Sequence, residues 1–364
     1  MKTLKGNFMN VNYLKINKLL FYTGLILSIN FGSQQILYGQ QIDILLKGGH
    51  VIDPANNIDE LMDVAISENK IVEVSVNIPI DSVEQVIDVT GLYVTPGVID
   101  LHTHVYYGTT DNLQADSYVS LPADAFSFRA GVTTVVDAGS SGWKNFRHFK
   151  QNAIDRSQTR ILAFLNIVGE GMVGRYEEQN LADMNPVMTA YMINRLYPKI
   201  IVGIKAPHYW GDFTQVDIAV EAGELANVPV MVDFGGTIPP NPPNSIEELF
   251  MNHLRPGDIF THTYSYQTSG REAVVDEDFK VKPFIFEAQE RGINFDVGHG
   301  GGALSFRQVQ PAIEQGFKPD AISSDLHIYS MNSGMKDMSN LMSKFLNMGM
   351  TLQEVIHRST WNPA

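Results

Sequence analysis

Two histidines one residue apart, His102 and His104, close the apolar run that begins Val98-Ile99-Asp100-Leu101. On an extended strand both project from one face, and two imidazoles side by side can hold a metal ion. Alone the pair is a weak signal, equally consistent with solvated or core histidines. Other residues able to do chemistry also stand at or just after the ends of apolar runs. Lys205 ends IIVGIK, Asp233 ends VPVMVD, His262 ends GDIFTH, His299 follows INFDVG, and Asp325 ends AISSD. A lysine in such a run either snorkels to the strand end or, once buried, has a depressed pKa and reacts as a neutral amine. Asp325 could equally cap a helix, and His262 could be a buried histidine satisfied by backbone groups.

The elements that position these residues repeat. From Gly97 onward eight short apolar runs recur: GVIDLHTHV, GVTTVVDAG, RILAFLNIV, KIIVGIKAP, VPVMVDFGG, GDIFTHTYS, INFDVGHGG and DAISSDLHI. Amphipathic segments such as NFRHFKQNAIDRSQ, QVDIAVEAGELAN and SIEELFMNHL lie between them, with apolar residues near helical spacing. Buried parallel strands alternating with helices imply a doubly wound sheet or a barrel. Eight units over roughly 265 residues match a (β/α)8 TIM barrel, whose active sites form at the strand C-terminal ends. The polar residues sit at those ends in nearly every run. A doubly wound sheet would offer a crevice served by two or three strands.

Residues 41–95 read differently. Short β-branched runs alternate with Gly, Pro, Asn and Asp, which predicts antiparallel strands joined by turns and a small β-sandwich-like domain ahead of the barrel at 96–364. Residues 1–40 carry Lys2, Lys5, Lys15 and Lys18 before the apolar run LLFYTGLILSI and a polar exit. That is the pattern of a signal peptide, and the run is short for a span of about 20 residues. The expectation is an exported protein, periplasmic or extracellular, with no membrane attachment after cleavage. An uncleaved anchor is the alternative.

Composition narrows the chemistry. With 44% hydrophobic and 18% charged residues the chain can build a core. A net charge of −14 supplies no basic stripe for nucleic acid. The absence of cysteine excludes disulfides, thiolate catalysis and Cys-ligated zinc. Any metal must be held by His, Asp, Glu or a modified side chain.

The phrase VTPGVIDLHTH resembles the opening of the barrel in the amidohydrolase superfamily, and the resemblance runs along essentially the whole chain after the leader. GVTTVVDAGSSG, GIKAP, FDVGHGGG and SSDLH resemble its deacetylase-like, dihydroorotase-like branch. The resemblance implies two divalent ions, zinc foremost, held by His102, His104, Lys205 carboxylated on Nζ, His262 and Asp325. It also implies a metal-bound hydroxide as nucleophile, with Asp325 as general base. The fifth run departs from the family, carrying Asp233 in place of histidine. Aspartate can bind zinc, but its shorter side chain and added charge imply either unusual metal preference or one strong and one weak site. His299 falls where the family contacts substrate, and His208 stands near a common arginine position, so both are candidate substrate-binding residues. His327 is a candidate partner of Asp325. Met331, Met335, Met338 and Met342 have the spacing of packing residues.

The family continues past HRSTWNPA into a stretch that completes the small domain. That stretch is absent here, so the small domain is expected to be incomplete. The implied function is hydrolysis of an amide or ester of a small molecule, foremost deacetylation. The alternatives are a cyclic-amide hydrolase of the dihydroorotase or hydantoinase kind and a non-catalytic barrel that binds a ligand. A homo-oligomer is left open.

Overall fold

The first ordered element, β1 (Ile42–Asp53), is the strand around which a five-stranded sheet assembles. The structure is a computed structural model describing residues 41–107, 119–174, 176–208, 211–233, 246–266 and 272–364; the expected signal peptide at 1–40 lies outside the described residues. β2 (Ile58–Ser67) and β3 (Lys70–Ser75) follow β1 as antiparallel neighbours. Glu68 and Asn69 both take positive φ between them, 49° and 60°, as a two-residue hairpin turn requires. β4 (Val83–Asp88) and β5 (Tyr93–Val94) pair with β1 in parallel, which corrects the all-antiparallel expectation. β2 already occupies one edge of β1, and the chain crosses through 76–82 before it covers the other edge, so it arrives in the same direction.

A second, parallel sheet starts at Val98. Its strands are β6 (Val98–Thr103), β7 (Val132–Gly142), β8 (Arg160–Asn166), β9 (Ile201–Ala206), β10 (Val230–Val232), β11 (Ile259–Phe260) and β12 (Asn294–Phe295). They lie side by side in chain order. Helices alternate with them: α1 (Phe146–Asn152), α2 (Pro186–Tyr191), α3 (Thr214–Ala226), α4 (Ile246–Glu248, continuing as a π-turn over Leu249–His253), α5 (Pro283–Glu290), α6 (Phe306–Glu314), α7 (Met338–Asn347) and α8 (Leu352–Ser359). α3 stops at Asn227, whose left-handed φ of 55° closes the helix. α8 starts on a Thr351/Glu354 capping box.

The eighth apolar run forms single parallel bridges instead of a ladder, Asp296 with Ala321 and Thr103 with Leu326. It therefore meets both edges of the curled sheet. Backbone bonds still hold it, with His299 N–H donating to the Ser323 carbonyl at 3.2 Å and Gly300 N–H to that of Ser324 at 2.9 Å. Side chains add to them: Ser324 donates its backbone N–H to Asp100 Oδ1 at 2.9 Å and its hydroxyl to Asp100 Oδ2, while Ser323 Oγ accepts from Gly298 N at 2.9 Å. Leu101, Val136, Ala138, Phe164, Met231, Ile259 and Ala321 cluster together without any helix residue, the inner face of the curl. A larger core lies between the sheet and its helices. Met335 and Met338 are buried, as packing residues should be. Both sheets belong to one compact unit, Ile42–Ala364.

Candidate metal centre

The polar residues singled out in the sequence collect at the C-terminal ends of the parallel strands. His102 is in β6 with His104 just beyond it, Lys205 is in β9, Asp233 follows β10, His262 follows β11, His299 follows β12, and Asp325 is in the bridged segment. All are buried. Among the described residues, His102, His104 and Asp325 form a group whose ligand atoms all lie within 4.8 Å of one another. Asp325 Oδ1 stands 3.6 Å from His102 Nε2 and 3.3 Å from His104 Nε2.

Hydrogen bonds on the outer ring nitrogens set which nitrogen faces inward. Thr261 donates its hydroxyl to Asp296 Oδ2 at 2.7 Å, so its oxygen accepts from His102 Nδ1–H at 2.9 Å. That leaves His102 Nε2 as a lone pair. His262 Nδ1–H donates to the Gly298 carbonyl at 2.6 Å, leaving its Nε2 as a lone pair 3.2 Å from Asp233 Oδ2. His104 Nδ1 bonds Ser140 Oγ at 3.1 Å, and Asp137 fixes that corner by accepting from the N–H groups of Ser140 and Val105, each at 2.8 Å. Around Asp325 an imidazole lone pair, that of His102, thus faces a carboxylate oxygen, a pair of acceptors that a cation can bridge, and outer-nitrogen hydrogen bonds of this kind orient histidines that ligate metal. The donor set of two imidazoles and a carboxylate fits a divalent ion.

Lys205 Nζ lies 3.4 Å from His102 Nε2 and 3.8 Å from Asp233 Oδ2, within reach of both halves of the site. Burial, followed by the charge of Lys205, lowers the pKa of His102 to about 3, so its ring is neutral, as a ligand's must be. Burial would raise Asp325, and positive charge on the imidazoles that line it, His102 first, would hold the carboxyl well below its ordinary value, so the carboxylate belongs with a cation in the site. His327 Nε2 stands 3.6 Å from Asp325 Oδ2, consistent with a partner role.

The two candidate substrate residues are engaged within the protein. His208 Nε2 is 3.0 Å from Asp233 Oδ2 and its Nδ1 3.3 Å from the buried Glu178 Oε2. Burial opposes charge on this ring, yet the two carboxylates outweigh it and raise the pKa to about 9. His299 Nδ1–H donates to the Gly300 carbonyl at 2.9 Å, and its Nε2 accepts from Lys344 Nζ at 2.7 Å.

Backbone strain concentrates here. His262 and Asp325 take left-handed φ values of 58° and 49°, a region non-glycine residues rarely enter and one that costs on the order of 1 kcal/mol or more. Gly298 is required by contact as well as by φ: a Cβ there would lie 2.4 Å from Thr261 Oγ1 and 2.9 Å from His262 Nδ1. At Gly300 a Cβ would meet Asp325 Oδ2 at 2.4 Å.

Sequence reasoning missed Thr261, Asp296, Ser140, Glu178, Ser324 and Lys344. One signal was present for part of this set. Asp100, Asp137 and Asp296 recur within VIDL, VVDAG and FDVG near strand ends, and all three carboxylates accept hydrogen bonds that brace the site.

No protein-family model matches the chain. A protein of Brucella anthropi named deacetylase is 37% identical over 305 residues, covering 80% of this chain and 69% of its own length. A deacetylase of Enterococcus faecalis is 29% identical over 330 residues, 88% of this chain and 83% of its own. Among solved structures, a dihydroorotase is 32% identical with a TM-score of 0.73, over 89% of this chain and 83% of that one. An adenine deaminase is 27% identical with a TM-score of 0.76, over 89% and 84%. These relatives set aside the reading of a non-catalytic barrel. With a histidine pair on the first parallel strand, an aspartate on the eighth run and this likeness over most of its length, the chain belongs to the amidohydrolase superfamily and is an enzyme.

Proposed function

We propose that the protein is a metal-dependent hydrolase that removes an acetyl group from a small molecule, on a (β/α)8 barrel completed by the segment 321–326. The carrying observation is the convergence of imidazole lone pairs and the ionised Asp325 on one buried point. His102, His104 and Asp325 would hold one divalent ion, zinc foremost. His262 and Asp233 would serve a second, with Lys205, carboxylated on Nζ, reaching both. Such ions supply a Lewis acid and lower the pKa of water.

The chain's own residues account for the remaining work. Asp325 takes the proton of the attacking water at a carboxylate oxygen and delivers it to the departing nitrogen or oxygen. The carbon–heteroatom bond breaks as the carbon–oxygen bond of acetate forms. The Thr261–Asp296 pair and the Ser140–Asp137 corner keep the two imidazoles of β6 in register. Burial of His102 and Lys205 excludes bulk water from the reacting centre. The two relatives named deacetylase support acetyl release.

Metal analysis of the purified protein, together with acetate release from N-acetyl and O-acetyl compounds, tests this reading. The expected result is about one or two zinc or manganese ions per chain and hydrolysis that chelation abolishes. A protein that binds no metal and releases no acetate overturns it. The likeness to a dihydroorotase favours a second reading, opening of a cyclic amide. Hydrolysis of cyclic ureides without acetate release would select it. The basic and apolar leader supports an exported location, which cell fractionation checks.

A further inference from the structure

Lys344 is a cation beside the strand ends that the hydrolytic reading leaves unused. It projects from α7 and is half-buried, and its ammonium donates to His299 Nε2 at 2.7 Å and to the Gly334 carbonyl. Both acceptors are neutral: His299 carries its proton on Nδ1, bonded to the Gly300 carbonyl at 2.9 Å, and so offers Nε2 as a lone pair. Lys47, Lys144, Lys150, Lys282 and Lys318 each pair with a carboxylate. Among the described residues Lys344 pairs with none, although the chain has 40 acidic and 26 basic residues. A second lysine, Lys336, lies close enough that its charge adds to burial in lowering the pKa of Lys344. The pair therefore forms a positive spot in an acidic protein.

Its place matters. His299 and Gly300 follow β12, and Gly300 approaches Asp325 so closely that an added Cβ would lie 2.4 Å from Asp325 Oδ2. A charge fixed on His299 thus stands one residue from the backbone that abuts the proposed general base. The ammonium has three N–H groups and spends two on neutral acceptors, so the third and the net charge remain for a ligand.

We propose that Lys344 is a specificity-determining residue that anchors a carboxylate on the substrate, on the side away from the bond that breaks. His299 positions Lys344 by holding its ammonium and does not itself contact the substrate. The proposal rests on the reading that these strand ends form the hydrolytic site. It selects acetylated acids over their neutral analogues as the substrate class.

The test is calorimetric binding of N-acetylglycine and of its neutral analogue N-acetylglycinamide to the metal-loaded protein, with hydrolysis of both followed in parallel. The wild type is expected to prefer the carboxylate. Lys344→Gln should cut that preference about tenfold, chiefly through KM, while Lys344→Arg keeps most of it. Far-UV circular dichroism verifies that each variant is folded. Should Lys344→Gln not fold, the same shift in preference is read from Lys336→Gln at smaller amplitude and from competition by acetate in the wild type. A wild type that binds the two probes equally or binds neither, or variants that weaken both probes in parallel, would overturn the anchor. A carboxylate preference without acetate release leaves the anchor standing and sinks only the deacetylase reading.

Discussion

Two buried aspartates, Asp63 in the five-stranded sheet and Asp325 at the strand ends of the parallel sheet, show opposite ways of housing a carboxylate. Asp63 accepts from Lys47 Nζ at 2.7 Å, from Gly48 N at 2.8 Å and from Ile78 N at 2.9 Å. Every neighbour is a donor, and the carboxylate completes a closed structural knot between β1, β2 and the chain before β4. Asp325 faces His102 Nε2, a fixed lone pair, and His104 Nε2. There the protein has assembled acceptors that need a cation. A carboxylate surrounded by donors holds a fold together, whereas one opposed to lone pairs is arranged for a ligand.

The contrast is sharpest in what each aspartate controls. Asp325→Asn is expected to reduce turnover by about a thousandfold while leaving the urea midpoint nearly unchanged. Near-normal turnover in folded Asp325→Asn would erase the distinction. Asp63→Leu should do the reverse. It strands two backbone N–H groups and removes an ion-pair partner from Lys47, at a cost of about 2–4 kcal/mol in equilibrium unfolding. Turnover per folded molecule should hold, and a loss there would tie the small sheet to the chemistry.

Acid gives the smallest and most diagnostic difference. Burial tends to raise the Asp63 carboxyl, but Lys47 and the two backbone N–H groups outweigh it and hold the folded value below the ordinary 3.8. A group depressed in the folded state contributes its full stability above the unfolded pKa and loses it as pH falls through the folded value. Urea midpoints measured from pH 5 downward should therefore drop more steeply below about pH 4 in the wild type than in Asp63→Asn. Parallel curves would show that Asp63 adds nothing through its charge.

Much of this arrangement was legible in the order of residues. Parallel strands buried on both faces read as apolar runs, and a His, Lys or Asp at the end of such a run has few places to go except the rim. The same reasoning located His102, His104, Lys205, Asp233, His262 and Asp325 at the strand ends. It could not supply the Thr261–Asp296 pair, because the two residues meet only when β11 and β12 lie side by side. Nor could it read β4 and β5 as parallel to β1, since direction depends on which edge remains open. Lys344 sits on an amphipathic helix and reads as an ordinary solvated lysine until α7 carries it onto His299. The eighth run has the composition of a strand, yet it forms bridges at Ala321 and Leu326 where a ladder was expected, its serines being held both by backbone bonds from His299 and Gly300 and by contacts with Asp100 and Gly298.

Those bonds to Asp100 span 224 positions of sequence, and the same stitch brings Asp325 to His102 and His104. A contact of such separation carries a larger loop-closure cost than a local one. The three proposed ligands are therefore expected to meet only once the eighth run has docked on the first strand. Metal uptake becomes a clock for the last event in folding: a refolding protein should regain its sheets, as seen by circular dichroism, before it captures zinc from a chromogenic chelator.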